Sequence, residues 1–367
     1  MARVRALTRF IDPFLLLLMT TVGLAALFPV GGGAQEVVDG ATKVFIGLLF
    51  FLYGARLSTR DALDGVRHWR LHLTILGCTF LVFPLLGLAA RGLVPWLITD
   101  DLYTGLLFLC LVPSTVQSSI AFTSIARGNV AGAIAAGSFS SIAGIVLTPL
   151  LAAAFIGASA GISADSLLSI GGQLLLPFLA GQLLRRWIGG FITRHRLLVM
   201  TVDRGSILVV VYAAFSEGMN ENIWSEASWG RLLALLAVEG VLLTVMLVLT
   251  TRGAGRLGFR RGDRIAITFA GSKKSLAAGL PMAGVIFPEQ TALAVLPLML
   301  FHQLQLLVCA FLARRWSAEA PGEPDGPGDR GGPGGPSGPG GSGGPEGQDG
   351  PGGPDASGGS SSRSAPA

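Results

Sequence analysis

Apolar residues along this chain come in long runs that are separated by short polar segments. An α-helix needs about 20 predominantly apolar residues to cross the hydrocarbon core of a bilayer. Ten segments approach or exceed that length, with approximate bounds 10–30, 37–57, 70–92, 102–126, 128–157, 166–188, 203–219, 229–251, 263–287 and 291–313. The pattern therefore predicts an all-α integral membrane protein with ten transmembrane helices, because the sequence lacks the ten-residue alternation of a membrane β-barrel.

Composition and charge agree with that prediction. Only 13% of the residues are charged, against about 25% in soluble domains. Arginines cluster in alternate loops, near residues 3–9, 56–70, 127, 185–196, 252–261 and 314–315, and the intervening loops are mostly acidic. Because positive loops stay on the cytoplasmic side, we expect both termini in the cytoplasm. The net charge of +5 thus reflects topology and does not indicate a nucleic-acid partner.

The composition changes abruptly after Trp316. Residues 317–367 consist mainly of Gly, Pro, Ser and acidic residues. Such a segment cannot bury enough apolar surface to offset its chain entropy, so we expect a disordered cytoplasmic tail. The remaining residues, 1–316, form the predicted transmembrane domain.

The ten segments divide into two groups of five, at about 10–157 and 166–316. Since five is odd, the second group enters the membrane from the opposite side, as in an inverted repeat. The fourth segment of each group is interrupted near its middle, at Pro113–Ser119 and at Gly271–Ser275. Broken helices persist in a membrane only against protein or a wet cavity. Matching breaks in two repeats therefore predict a transport site near the midplane.

Lys273 and Lys274 lie in the second interruption, and the only other lysine of the chain is Lys43. A charge at mid-membrane costs roughly 2.5–3.5 kcal/mol on insertion scales, so such residues are usually functional. Lysine, unlike arginine, can lose its proton when buried. The pair predicts an anion-binding or proton-titrating group. The alternative is that one or both lysines reach toward the interface or lie near a helix end.

Two further ionisable residues fall inside predicted helices. Glu239 is a candidate ion-pair partner for a lysine or a proton relay, and a structural hydrogen bond is the alternative. His302 is a candidate proton carrier, although a lone intramembrane histidine is at least as often structural.

Hydroxyl and amide side chains near the breaks complete the predicted substrate- or ion-binding set, which is Ser114, Thr115, Gln117, Ser118, Ser119, Ser140, Ser141, Ser272, Lys273, Lys274 and Ser275. Any single serine is as readily explained by helix packing. The sequence shows no P-loop, metal-ligand cluster or nucleophile elbow. We therefore expect no enzyme, and no cofactor unless a sodium ion couples transport.

At these residues the chain resembles the bile acid:sodium symporter superfamily, in particular the branch of bacterial symporter-like proteins and the seventh member of human solute carrier family ten. The resemblance covers about residues 5–316. Its motifs are Pro113–Ser119, Ala126–Asn129, Ser140-Ser141 with Thr148-Pro149, and Phe269–Ser275 with Gly279–Pro281. It implies two inverted five-helix repeats, crossed discontinuous helices 4 and 9, and alternating access by movement of a panel domain against a core domain.

One departure from that family bears on coupling. Bile-acid-type members carry a Glu and a Gln around the ninth-helix break, and these help to bind two sodium ions. Here the same stretch holds Phe269 and the two lysines, whose positive charge repels sodium. The oxygens of Ser118, Ser119 and Ser141 leave one sodium site conceivable.

We therefore expect a secondary transporter that moves a small organic anion across the bacterial cytoplasmic membrane, coupled to protons or sodium. Two alternatives stay open. One is a non-transporting membrane regulatory protein on the same fold. The other is a cation/proton antiporter, although antiporters with crossed helices usually carry aspartates at the crossing. The sequence indicates neither the identity of the substrate nor the oligomeric state.

Overall fold

A computed structural model of the chain describes residues 13–56, 68–157, 164–220, 228–287 and 291–319. These residues form helices, turns and loops, and no strand occurs among them. The first six helices are α1 Pro13–Leu27, α2 Gly33–Arg56, α3 Trp69–Leu93, α4 Asp100–Leu111, α5 Gln117–Ile125 and α6 Val130–Phe155. The other six are α7 Ala164–Arg194, α8 Arg196–Asn220, α9 Trp229–Arg256, α10 Arg261–Gly271, α11 Leu276–Ile286 and α12 Thr291–Ala318.

Helix covers each of the ten predicted segments, and the fourth and ninth segments each consist of two helices. Of the described helices, six are long and apolar enough to cross a membrane, namely α2, α3, α6, α8, α9 and α12. The prediction that all ten segments cross it as two inverted repeats stays a prediction. The tail predicted from residue 317 lies outside the described residues, except that α12 continues to Ala318.

The segment predicted at 203–219 is longer than expected, because α8 begins at Arg196. Its first turns carry charges that interrupt the apolar run. One of them, Asp203, is paired with Arg56 of α2 at 3.0 Å. A charge that is paired on a neighbouring helix does not end the helix that carries it.

The helices pack in two groups. In one group, α2 packs against α7 and α8, and α8 also packs against α1. In the other, α4 packs against α12, α9 against α10, and α5 against α6, α10 and α12.

The contact between α2 and α7 is unusually close and reciprocal. A Cβ atom on Gly54 would lie 2.0 Å from the carbonyl oxygen of Phe178, and one on Gly181 would lie 2.0 Å from the carbonyl oxygen of Phe51. Real Cβ atoms cannot approach that closely, so only glycine fits at either position.

Candidate functional site

The two interruptions of the helices meet in the second group. Residues 112–116 separate α4 from α5, and residues 272–275 separate α10 from α11. The backbone N–H of Ser275 donates to the carbonyl oxygen of Pro113 at 2.8 Å. Four helix ends therefore converge on one point, as the matching positions of the breaks predict.

Each interruption has a local cause in the sequence. Pro113 has no N–H and disfavours the helical conformation in the residue before it, and Val112 is extended. On the other side, Ser275 is extended and its hydroxyl accepts from the N–H of Ala278 at 3.2 Å. A serine in this role begins a new helix, so α11 starts there.

Ser114 and Lys274 occupy corresponding places in the two breaks. The hydroxyl of Ser114 donates to the carbonyl of Ala270, at the end of α10. The ammonium of Lys274 donates to the carbonyl of Cys110, at the end of α4, at 2.7 Å. Ser114 follows Cys110 by four residues, and Lys274 follows Ala270 by four residues. Each side chain therefore bonds to the carbonyl that lies four residues before the other one. Each interrupted helix is thus closed at its C-terminal end by a donor from the opposite break.

The backbone at these two residues is also held in matching ways. The N–H of Ser114 donates to the hydroxyl of Ser140 in α6 at 2.9 Å. The N–H of Lys274 donates to Oε1 of Gln305 in α12 at 2.9 Å, and Nε2 of Gln305 donates to the Lys274 carbonyl at 2.8 Å. Ser140 therefore holds the backbone of the first break, and Gln305 holds that of the second.

The ammonium of Lys274 is fully buried and is bonded to three backbone carbonyls. We call the carbonyls of Thr79, Cys110 and Val112 the carbonyl triad; their oxygens lie 2.9, 2.7 and 2.8 Å from Nζ. An ammonium has three N–H donors, so every donor has an acceptor. The ring of Phe83 lies 4.3 Å from Nζ. The half-negative end of α4 faces this cation, which is the favourable arrangement.

The triad is free to accept because its helices are irregular. The break at Pro113 leaves the last carbonyls of α4 without N–H partners in their own helix. In α3, residues Cys78–Val82 form a π-helical turn, in which the N–H of Phe83 donates to the carbonyl of Cys78. Continuing that pattern, the partner of the Thr79 carbonyl would be residue 84. That residue is Pro84, which has no N–H, so the carbonyl points to the lysine.

Lys273 is equally buried but has different surroundings. Its ammonium donates to the hydroxyl of Ser118 at 3.0 Å. The ring centroid of Phe122 lies 4.4 Å from Nζ and that of Phe269 lies 6.0 Å from it. A cation over an aromatic face gains about 0.5–2 kcal/mol. Lys273 therefore has one hydrogen bond within the described part of the chain where Lys274 has three.

The remaining predicted hydroxyls are engaged to different degrees. Thr115 and Ser118 share a hydrogen bond of 3.0 Å. The hydroxyl of Ser119 donates to the carbonyls of Thr115 at 2.6 Å and Phe269 at 3.1 Å. Ser272 turns back onto its own helix and donates to the Thr268 carbonyl at 2.6 Å.

Gln117 is exposed and faces a large cavity. The cavity has a volume of about 930 Å³ and lies between α2, α7, α8 and the start of α5. Among the described residues, four arginines line it, Arg56, Arg185, Arg186 and Arg196, together with one carboxylate, Asp203. We call it the arginine cavity. No side chain caps the N-terminus of α5 there, and helix N-termini favour anions.

Glu239 and His302 differ in whether they are connected to the residues of the two breaks. Glu239 is fully buried in α9, and neither carboxylate oxygen has a hydrogen-bond partner among the described residues. The ion pairs found in those residues do not involve either buried lysine. Nδ1 of His302 lies 2.8 Å from Nε2 of Gln305, so the histidine is linked to the Lys274 backbone. Ser141 lies half-buried in α6 beside Ser140.

Sequence reasoning overlooked Thr79 and the arginines of the cavity as parts of a site, and it did not include Gln305 in the predicted binding set. A signal for Gln305 was present, since an amide in an apolar helix beside a histidine needs a partner. Thr79 contributes only its backbone, so its side chain carried no signal. The arginines of the cavity belong to the clusters that indicate cytoplasmic loops, so the sequence provides no separate indication of a second role.

Comparison with known proteins places the chain among membrane transporters. Residues 12–318 match the model of the SBF-like CPA transporter family. The chain is 51% identical over 309 residues to an uncharacterised protein of Pseudomonas aeruginosa, which covers 83% of this chain and 93% of that protein. It is 46% identical over 315 residues to an Escherichia coli protein named as a candidate symporter, YfeH, covering 85% and 95%. It is 29% identical over 309 residues to the sodium/bile acid cotransporter 7 of Rattus norvegicus, covering 82% and 90%.

Proposed function

Because the chain belongs to the SBF-like CPA transporter family, it is a multi-pass membrane protein and a secondary transporter, not an enzyme, and we propose that it carries a small organic anion. The membrane is the bacterial cytoplasmic membrane, both termini face the cytoplasm, and transport proceeds by alternating access. The single observation that carries the proposal is the arginine cavity, where four arginines accompany one carboxylate among the described residues.

One pair of reciprocal contacts supports the proposed architecture of ten spans in two inverted repeats. Ser114 and Lys274 exchange equivalent hydrogen bonds between the breaks. In this architecture α4 with α5 is the fourth span, α10 with α11 is the ninth, and the two cross at Pro113 and Ser275.

Lys274 takes the place that a coupling cation would occupy. Backbone carbonyls at broken helices are the ligands that transporters of this kind use for sodium. Here the three oxygens of the triad are already bonded to a covalently attached cation. The hydroxyl of Ser118 accepts from Lys273, and that of Ser119 donates to two carbonyls. These residues do not fit a sodium ion, so we propose that transport is coupled to protons.

The arginine cavity supports an anionic substrate. In the part of its lining that the structure describes, four guanidinium groups outnumber one carboxylate, and Asp203 is paired with Arg56. Guanidinium groups bind carboxylate and phosphate groups with two parallel hydrogen bonds. At the inner end, Gln117 and the uncapped start of α5 add an amide and backbone N–H groups. An anion in this cavity lies between the two helix groups, whose relative movement would expose it to either side.

The proposal is tested by thermal unfolding of the purified full chain in detergent at fixed ionic strength. Acetate, lactate, succinate, citrate and benzoate are added as choline salts. A ligand present at 100 times its Kd stabilises the folded state by about 2.7 kcal/mol. We expect stabilisation by at least one of these anions, lost in the double variant Arg185→Gln/Arg186→Gln. The matched control is Arg252→Gln, an exposed arginine outside the cavity.

Replacing choline by sodium provides the opposing arm of the same experiment. We expect no change in the melting temperature. A sodium-specific increase in the wild-type protein that persists in Lys273→Ala would overturn the proposed coupling. Stabilisation by anions that is unchanged in the double arginine variant would remove the arginine cavity from the proposal.

A further inference from the structure

We propose that the two adjacent lysines have separate roles: Lys273 takes up and releases the coupling proton through Ser118, and Lys274 keeps its proton throughout the transport cycle. This inference rests on the proposed function and deepens it. The observation that carries it is the different set of partners around the two ammonium groups.

The partners of Lys274 accept hydrogen bonds but cannot donate them. All three are backbone carbonyls, and the nearest ring, that of Phe83, offers only its face. If Nζ lost a proton, one carbonyl would lose its donor, and the lone pair of the amine would face the lone pairs of that oxygen. An unsatisfied buried polar group is costly. The triad therefore holds Lys274 in its charged form.

The partner of Lys273 serves both charge states. A hydroxyl can accept from an ammonium and, after rotation, can donate to the lone pair of a neutral amine. The hydrogen bond between Lys273 and Ser118 therefore survives loss of the proton, with its direction reversed. The other neighbours, Phe122 and Phe269, are apolar rings that also tolerate a neutral amine. Lys273 can change its charge without leaving a buried polar group unpaired.

The proton has a short route between Lys273 and the arginine cavity. Ser118 is half-buried in the first turn of α5, directly after the exposed Gln117 that lines the cavity. Its hydroxyl also bonds to that of Thr115 at 3.0 Å. When Nζ gives its proton to the oxygen of Ser118, the hydroxyl proton of Ser118 passes to a water molecule in the cavity. The reverse transfer reloads the lysine, and no other bond changes.

Among the described residues, no carboxylate contacts Lys273 to compete for its proton. Helices α5 and α10 contribute Ser118, Phe122 and Phe269, none of which titrates near neutral pH. Helix α12 contributes the thiol of Cys309. The adjacent Lys274 carries a fixed positive charge, and this charge makes the proton of Lys273 easier to release. One proton then moves in each cycle, so a monovalent anion travels without net charge.

The small number of lysines makes the assignment directly measurable. Protein labelled with ¹³C at the lysine ε-carbon gives three resonances, from Lys43, Lys273 and Lys274. Lys43 is exposed on α2 and is the reference. In detergent without substrate, we expect the Lys273 resonance to move as the pH is raised through the neutral range, while those of Lys274 and Lys43 stay in place. The proposal is overturned if the Lys274 resonance moves in that range. It is also overturned if the Lys273 resonance does not move at a lower pH than the Lys43 resonance.

The resonances are assigned with Lys43→Arg and with Lys273→Gln. If Lys273→Gln does not fold, Phe122→Leu identifies Lys273, because removing that ring changes the shift of the lysine stacked on it. The part played by Ser118 is tested by the same titration in Ser118→Ala and Ser118→Thr. We expect the alanine variant to shift the Lys273 transition and the threonine variant, which keeps the hydroxyl, to preserve it. An unchanged transition in Ser118→Ala overturns the relay.

This titration needs no substrate, so its failure is distinguishable from failure of the proposed anion transport. Binding of anions with the wrong lysine titrating would remove only the division of roles. Correct titration without anion binding would remove only the proposed substrate. Ser138→Ala is the control for loss of a serine hydroxyl, since Ser138 bonds to its own helix at 3.0 Å.

Discussion

At the scale of single residues, the two lysines show how neighbours in sequence acquire different chemistry. They share burial, residue type and a position between two helices, and their ammonium groups contact different elements. One meets three carbonyls and the other meets a hydroxyl and two rings. The sequence could predict that a lysine pair in a broken helix is functional. It could not predict which lysine does what, because the difference lies in backbone oxygens from two other helices.

Removing the side chain of Lys274 should leave the carbonyl triad unsatisfied. Each buried polar group without a partner costs about 1–3 kcal/mol, so Lys274→Ala should lower the free energy of unfolding by about 3 kcal/mol or more. The vacated space is lined by oxygens, so we expect ammonium or sodium ions to restore part of the melting temperature, relative to choline. Lys274→Met fills the same space with an apolar chain and should show no rescue. A Lys274→Ala protein as stable as the wild type would contradict the role of the triad.

Glu239 should behave as a neutral group. A buried charge without a partner is so costly that the group takes up a proton instead, and neither oxygen of Glu239 has a hydrogen-bond partner among the described residues. Glu239→Gln should therefore change the free energy of unfolding by less than about 1 kcal/mol, and Glu239→Leu should be neutral or stabilising. Chemical denaturation in detergent measures both. A large loss in Glu239→Gln would show that the carboxylate is charged and paired in the native state.

At the scale of helices, the sequence located the elements well and their irregularities only in part. Apolar runs give the position of every helix, and Pro113 and Ser275 mark the two breaks. The hydropathy pattern of the sequence did not indicate the π-helical turn of α3, because the residues of Cys78–Val82 are as apolar as their neighbours. The start of α8 was missed because hydropathy counts Asp203 as polar, whereas its partner Arg56 stabilises it there. Both omissions come from contacts between helices, which a reading of one segment at a time does not include.

Pro84 should be necessary for the geometry of the triad. Pro84→Ala restores an N–H that can donate to the Thr79 carbonyl in the π-helical turn, in competition with Lys274. We expect a decrease in the free energy of unfolding of about 1 kcal/mol, the net contribution of one hydrogen bond. Thermal unfolding of this variant is compared with that of Pro177→Ala, a proline inside α7. If Pro84→Ala has no effect once Lys274→Ala is present, the two residues act through the same carbonyl; if the effects of the two substitutions simply add, they do not.

At the scale of the whole molecule, the reciprocal contacts join the two halves of the chain in two places. At the crossing, Ser114 and Lys274 close each other's helices. Between α2 and α7, Gly54 and Gly181 each lie against the backbone of the other helix. The sequence predicted two halves from the odd number of segments, but not these contacts, because glycine pairs carry no hydropathy signal. An arrangement in which both halves supply equivalent parts, with one lysine replacing one serine, explains why only one of the two breaks is charged.

The glycine pair allows the close contact between α2 and α7 to be measured. A Cβ on either glycine would lie 2.0 Å from a backbone carbonyl oxygen of the other helix, so Gly54→Ala and Gly181→Ala should each push α2 and α7 apart. Overpacking costs about 1–3 kcal/mol or more, and the two losses should be similar. Gly40→Ala, in the same helix with no atom within 4 Å of its Cβ, should be stabilising by about 0.5–1 kcal/mol. Since separation of the helices relieves both clashes at once, the double variant should lose less than the sum of the single variants. Unequal single losses, or strict additivity, would show that the two glycines do not share one close contact between α2 and α7.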